Sequence, residues 1–220
     1  MTLQGVCTAP APWQLYGEGF ILNYWLSPKL CQEWQSFGIA PSLLGKMIQV
    51  MVVQYHHSPV GPYDELLILD HQLSFKGRRS SIPLIYVSTE DSVVCGRENW
   101  GIPKQLAQFE WLRNHDRVYV QVKSPQGEIS IQLPIQSASI PFPVNTQRLP
   151  QALLKLQQDL NGNLYAFSPQ ASGQAIRLNS SEWQCEGHLF PDFSLAKALG
   201  CFHIPSFNMQ FPIAEIGTAR

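Results

Sequence analysis

Residues 117–123 read RVYVQVK and residues 128–133 read EISIQL, with Ser124-Pro125-Gln126-Gly127 between them. Both runs alternate apolar with polar residues, the period of a strand with one buried face, and the four linking residues suit a tight reversal. The stretch predicts a β-hairpin, and the rest of the chain reads the same way. Residues 46–55 (KMIQVMVVQY) have high strand propensity, and residues 66–69, 84–87 and 109–112 are shorter candidates of the same kind. The 17 prolines and 15 glycines punctuate these runs as a β-dominated barrel requires.

Helix signals are few. Residues 27–37 begin with Ser27 as N-cap and Pro28 at the first helical position, and Gly38 stands where the helix would stop. Residues 149–160 place Leu149, Leu153, Leu156 and Leu160 three and four apart, which predicts an amphipathic helix ended by Asn161-Gly162. The fold class expected is therefore mainly β, a β-dominated α+β arrangement, as one domain spanning residues 1–220.

Composition narrows the function. Charged residues make up only 14% of the chain while 45% is hydrophobic, so either an apolar interior or buried subunit contacts must account for the missing charge, and a homo-oligomer is expected. With 15 Lys and Arg against 16 Asp and Glu there is no basic field for nucleic acid or an anionic membrane surface. The apolar runs are too short for a membrane span, and residues 1–13 lack the basic and apolar regions of a secretory signal, which points to a cytoplasmic protein. Cys7, Cys31, Cys95, Cys185 and Cys201 are scattered, with no metal-ligand spacing, and are read as free thiols. His56 and His57 are adjacent and would point to opposite faces of a strand, so no metal site is expected there.

One motif carries chemistry. Residues 96–104 read GRENWGIPK, and Lys104 closes a stretch with Trp100, Ile102, Pro103 and Leu106 close by. A lysine amine in water is protonated at neutral pH, and it attacks a carbonyl only when burial or a nearby cation destabilises the ammonium. Apolar neighbours supply the first of these conditions. Upstream, Gly61-Pro62-Tyr63-Asp64-Glu65 places a carboxylate two residues after a tyrosine.

These two segments, in this order, resemble the Gly-Arg-Glu…Pro-Lys and Tyr-x-Glu segments of the acetoacetate decarboxylase superfamily. Residues 204–209 (IPSFNM) resemble a late strand of many members. The resemblance implies an acetoacetate decarboxylase-like β-barrel or β-cone with an antiparallel sheet, and a lyase that uses no cofactor and no metal. It makes Lys104 the Schiff-base nucleophile toward a small-molecule carbonyl substrate and points Glu65 into the site. The implied reaction is decarboxylation of a 3-keto acid. Tyr63, Trp100 and Tyr55 become candidates to line the cavity, and Arg97 a candidate to brace the loop or act on the substrate. The family's decarboxylases carry a second lysine after the nucleophile and an arginine on an early strand; this chain has Gln105 and Tyr24-Trp25 at those places. Arg97, Arg78 or Arg79 could supply the missing cation through space, and Trp25 would make the pocket more apolar. Such departures fit relatives that use the lysine for aldol or dehydration chemistry, or a non-catalytic module that binds an apolar carbonyl or lipid-like ligand.

Overall fold

The computed structural model describes residues 5–74, 77–135, 139–150, 154–179 and 181–218, the side chains of 73–79 excepted. Strands dominate, in the order β1 (Trp13–Leu26), β2 (Lys46–His57), β3 (Tyr63–Ser74), β4 (Gly77–Val87), β5 (Lys104–Leu106), β6 (Gln108–Arg113), β7 (Arg117–Ser124) and β8 (Gly127–Pro134). There follow β9 (Phe142–Asn145), β10 (Leu156–Leu160), β11 (Asn163–Phe167), β12 (Gln170–Leu178), β13 (Glu182–Gly187), β14 (Lys197–Phe211) and β15 (Glu215–Thr218). Helix α1 (Pro28–Glu33) follows β1, and α2 (Glu90–Trp100) joins β4 to β5. Among the described residues no helix is long and apolar enough to cross a membrane.

The 11-stranded sheet runs β15-β11-β10-β4-β3-β2-β1-β14-β12-β9, with β5 attached to β4. Its pairings are antiparallel except β10 with β4 and β4 with β5. The mainly β architecture with a large antiparallel sheet is the one expected, but the sheet is not closed, because its end strands β15 and β9 are not neighbours. A second sheet of four strands, β13-β8-β7-β6, contains the hairpin read from the sequence, with Lys123 opposite Glu128 and Ser124 opposite Gly127.

Strand periodicity gives the large sheet two apolar faces. Phe20, Leu22, Ile48, Val50, Leu66 and Ile68 pack against Val118, Val120, Ile129, Ile131 and Leu133 of the small sheet to form one core. Alternate residues, among them Leu15, Val53, Tyr55, Leu67 and Ile85, form a second core on the other face with Val93 and Trp100 of α2. The pairing of β3 with β4 slips between Ile68 and Asp70, which lets both Ile82 and Ile85 join the second core while Leu84 joins the first.

Helix α1 forms where predicted: Ser27 accepts a hydrogen bond from the Leu30 N–H, Pro28 is its first residue, and a 3-10 turn (Trp34–Phe37) carries it to Gly38 at φ 79°. The helix expected over residues 149–160 does not extend past Leu154, the one described residue of that range with helical backbone. Residues 151–153 lie outside the described residues, and Leu156–Leu160 is a strand paired with Asn163–Phe167. Asn161 (φ 53°) and Gly162 (φ 79°) make the two-residue reversal between them, so the Asn-Gly dipeptide is a hairpin turn and not a helix stop.

Glu18 of β1 ties the two sheets together. Its carboxylate accepts hydrogen bonds from both terminal nitrogens of Arg113 on β6, at 3.0 and 2.8 Å, and lies 2.7 Å from His203 Nε2 on β14. Burial pushes this carboxyl up, but the hydrogen bonds and charges of His203 and Arg113 outweigh it and hold it at about 2, below its ordinary 4.5. A carboxyl depressed by folding stabilises the protein above its unfolded value, and that contribution fades as pH falls through the folded value. Glu18→Gln is therefore expected to lower stability at neutral pH by about 1–3 kcal/mol. Urea unfolding of both proteins should show this gap closing between about pH 4.5 and about pH 2; a gap that does not change over that window would contradict the assignment.

Candidate active site

Lys104 opens β5 beside Ile85 of β4, with 4% of its side chain exposed. Its Nζ lies 3.0 Å from Glu65 Oε2, 3.0 Å from Ser92 Oγ and 3.4 Å from Tyr63 Oη, so the three N–H donors of an ammonium meet three acceptors. Tyr63 and Glu65 are two apart on β3 and share a face, and Tyr63 also turns its ring toward Nζ at 4.9 Å. Tyr55, opposite Tyr63 on β2, donates from its hydroxyl to Glu65 Oε1 at 3.1 Å. Burial pushes both phenols well above their ordinary 10, with the Glu65 charge adding to it, so both hydroxyls stay protonated.

Helix α2 supplies the back wall, and the sequence reading did not anticipate it. Ser92 and Gly96 are four apart and share one helix face. A Cβ at Gly96 would lie 2.6 Å from Lys104 Cδ and 2.8 Å from Cε, so the lysine stem crosses the helix only where a side chain is missing. The helix ends at Gly101 in the left-handed conformation (φ 63°), and Arg97 reaches past it to donate from Nε and Nη2 to the Lys104 carbonyl at 3.0 and 2.6 Å. Trp100 is buried, donates from its indole to the Pro212 carbonyl at 2.7 Å and meets Trp13 edge-on at 5.0 Å.

The N-terminal segment is stapled to this helix. Cys7 and Cys95 form a disulfide, which corrects the reading of five free thiols; Cys31, Cys185 and Cys201 are free. Burial pushes the thiols of Cys185 and Cys201 up to about 12, where they are unreactive. Glu98 accepts the Cys7 N–H, and Asn99 accepts from the Ala11 N–H and donates to the Ala9 carbonyl.

Two spaces meet at Glu65, and the lysine borders the smaller one. A chamber of about 30 Å³, walled by Trp13, Trp100, Ile102, Ile85, Tyr63 and Lys104, holds roughly one water. Glu65, Tyr55, Leu67, Ile82 and Phe211 line this chamber and also a larger cavity of about 420 Å³ on the same face of the sheet.

The acetoacetate decarboxylase (ADC) family model matches residues 36–137, a span that holds both Glu65 and Lys104. Solved structures with the same fold include an acetoacetate decarboxylase from Legionella pneumophila, with a TM-score of 0.72 at 15% identity over 95% of this chain and 88% of that one. The family match over residues 36–137 and the shared fold support placing the chain in the acetoacetate decarboxylase superfamily. An acetoacetate decarboxylase-like enzyme from Sphingomonas wittichii RW1 has a TM-score of 0.67 at 12% identity, covering 97% of this chain and 96% of its own. The enduracididine biosynthesis enzyme MppR, complexed with the condensation product of pyruvate and imidazole 4-carboxaldehyde, has a TM-score of 0.67 at 15% identity over 97% of this chain and 92% of that one. A search of curated proteins gives no significant match.

Of the residues singled out within this superfamily frame, Lys104, Glu65, Tyr63 and Trp100 come together. Arg97 does not face the chamber, because its guanidinium is committed to the Lys104 carbonyl. Trp25 is a correction: it is 41% exposed and lines neither space. The chamber lies at the Trp13 and Leu15 end of β1, and ten strand residues carry Trp25 roughly 30 Å away. Tyr24 faces the core between the sheets, where its hydroxyl accepts from Trp183 Nε1 at 2.7 Å. Gln105 follows Lys104 on a strand and so points to the opposite face. The side chains of Arg78 and Arg79 lie outside those described. Ser92, Trp13 and Phe211 were missed; for Ser92 the usable signal was its position four before Gly96, which acts only once residues 90–100 are read as a helix.

Removing one member of a buried ion pair leaves the other charge uncompensated, at a cost of about 3–5 kcal/mol, while replacing both by apolar residues of similar volume is often neutral. Glu65→Gln should therefore destabilise the protein by about that amount, and Lys104→Met with Glu65→Leu should recover most of it. Denaturant midpoints of the three proteins test the pair; equal destabilisation in the single and double variants would mean that the two groups are not coupled.

Proposed function

We propose that this chain is a cofactor-free lyase that forms a Schiff base between Lys104 and a keto acid, with decarboxylation of a 3-keto acid as its reaction. The observation that carries the reading is a lysine nitrogen buried among apolar walls, 3.0 Å from a carboxylate that lines both its chamber and a larger cavity.

Glu65, 3.0 Å from the nitrogen, is placed to take the ammonium proton and so free the lone pair that attack on a carbonyl requires. The amine adds to the keto carbon, and the carbinolamine loses water to give an iminium. The bond between the α-carbon and the carboxylate then breaks, carbon dioxide leaves, and the electron pair moves toward the iminium nitrogen to form an enamine. Protonation of the enamine carbon and hydrolysis of the new iminium return the ketone and the lysine. The bond-breaking step turns an iminium and a carboxylate into a neutral enamine and a neutral gas, so apolar walls favour it. Glu65 is the nearest proton carrier, Tyr55 and Tyr63 are protonated phenols around it, and Ser92 fixes the nitrogen.

An aldol or dehydration reaction through the same iminium is the second reading. It is favoured by the adjoining cavity, which has room for a second reactant, and by the likeness of fold to MppR. Self-association is also proposed, on the exposed apolar side chains of Leu43, Leu44 and Ile140.

Incubation with acetoacetate and borohydride, followed by peptide mapping, should place the reduced adduct on Lys104, and Lys104→Ala should abolish both the adduct and carbon dioxide release. An adduct elsewhere, or none with any carbonyl, would overturn the Schiff-base reading; an adduct without gas would select the second reading. Gly96→Ala separates placement of the lysine from stability. Alanine favours the helix by about 1 kcal/mol, yet its methyl would occupy the path of the Lys104 stem. The variant should remain folded by circular dichroism while adduct formation falls by at least about tenfold, as a displaced reacting group requires.

A further inference from the structure

The chamber at Lys104 and the cavity beside it differ more than tenfold in volume, about 30 Å³ against about 420 Å³. The chamber admits a group of roughly the size of one water, which is enough for a reacting carbonyl and nothing more. Whatever else the substrate carries must extend past Glu65 into the larger space, whose volume is that of an ordinary small-molecule site.

That space has a direction. Glu65, Leu67, Leu69 and His71 alternate along one face of β3 and all line it, so its floor runs roughly 20 Å from the carboxylate to the imidazole. Val53, Met51 and Gln49 of β2 run beside them, opposite Glu65, Leu67 and Leu69, and Gly19 and Ile21 of β1 continue the same rows. Ile204, Phe207 and Met209 of β14 and Leu149, Leu154 and Leu156 complete an apolar lining. Among the described residues no lysine or arginine lines the cavity, and Tyr55, Glu65 and His71 are its three titratable members. Polar groups stand at both ends of this floor. Glu65 and Tyr55 stand at the lysine end, while at the other His71 bonds Ser80 Oγ at 2.9 Å and Gln49 Oε1 at 3.0 Å, and Gln49 donates to Asn23 at 2.8 Å.

We infer that the substrate is a carbonyl compound bearing an extended apolar chain, with its carbonyl at Lys104 and its chain laid along β2 and β3 toward His71. This rests on the Schiff-base reading and goes beyond it, since a four-carbon keto acid would leave the cavity unused. Each methylene moved from water onto this floor contributes enough to raise kcat/KM about fourfold.

The test is a chain-length series of 3-keto acids from acetoacetate to 3-oxodecanoate, read as carbon dioxide release, with the matching series of methyl ketones read as borohydride-trapped adduct on Lys104. A rise in kcat/KM and in trapping with each added methylene, ending in a plateau, is expected. Met51→Trp, which fills the middle of the floor, should lower the ratio of the longest to the shortest substrate at least tenfold, and Met51→Phe should lower it less. Adducts that form on Lys104 with equal efficiency whatever the chain length would overturn the inference while leaving the Schiff base in place. No adduct with any member of either series would remove the Schiff base itself. The wild-type series reads the inference without either variant, and thermal melting identifies a variant that has not folded.

Discussion

The ion pair of Lys104 and Glu65 is the constraint around which the surrounding structure is arranged. Two charges taken out of water cost several kcal/mol each, and their attraction offsets this only when the geometry is good and the remaining hydrogen bonds are made. Each neighbour answers one of those demands. Ser92 and Tyr63 take the other two ammonium protons, and Tyr55 takes the second carboxylate oxygen. Gly96 clears the path of the stem, and Arg97 fixes the backbone from which the stem starts. A helix, a short parallel strand and a pair of tyrosines are thus fitted to one nitrogen.

A second buried pair shows what such a site looks like when it is structural. Lys46 and Asp70 lie 2.7 Å apart and are as well hidden as Lys104 and Glu65. Lys46 also donates to the Ala40 carbonyl, and Asp70 accepts the Ala40 N–H at 3.0 Å, so the pair fastens the segment ahead of β2 onto β3. Its partners are backbone groups, and neither residue lines the chamber or the cavity. Lys104 has hydroxyls and a carboxylate around it and borders empty space. Both lysines are buried and paired, so burial alone does not distinguish them; the hydroxyl partners and the adjoining chamber do.

Local patterns carried the sequence reading where they matched local structure. The 117–133 hairpin, the strand opening at Lys46 and the helix from Ser27 to Gly38 were legible because alternation and capping are properties of neighbouring residues. Lys104 and Glu65 were legible because each sits in a recognisable segment, 39 positions apart in sequence but joined through β4 in the sheet. Helix α2 was not. EDSVVCGRENW has a glycine at its centre and only weak segregation of apolar residues, and Thr89 makes no side-chain cap. What holds it helical is packing of Val93, Cys95 and Trp100 into the second core, a tertiary effect. The Cys7–Cys95 bridge, 88 residues long, has no local signature either. Leu149, Leu153, Leu156 and Leu160 had helical spacing, but the Asn161-Gly162 turn prevailed because pairing with β11 satisfies the backbone of residues 156–160.

The low charge content now has a location. The large sheet is apolar on both faces, one closed by the small sheet and the other facing α2 and the cavity, so most strand positions that would carry charge in a one-sided sheet carry Val, Leu, Ile or an aromatic residue instead. Packing normally removes apolar voids, because side chains that line one lose contacts that a filled interior would supply. Here the side chains that could close the space are held apart. Gly19 contributes no side chain, and β14 and β12 both break register beside it, β14 at Pro205, where a proline cannot donate to the ladder. The sandwich core carries the stability that lets the opposite face stay open. A scaffold that spends one face on rigidity and leaves the other unfilled next to a buried amine is arranged for a ligand that supplies the missing apolar contacts itself.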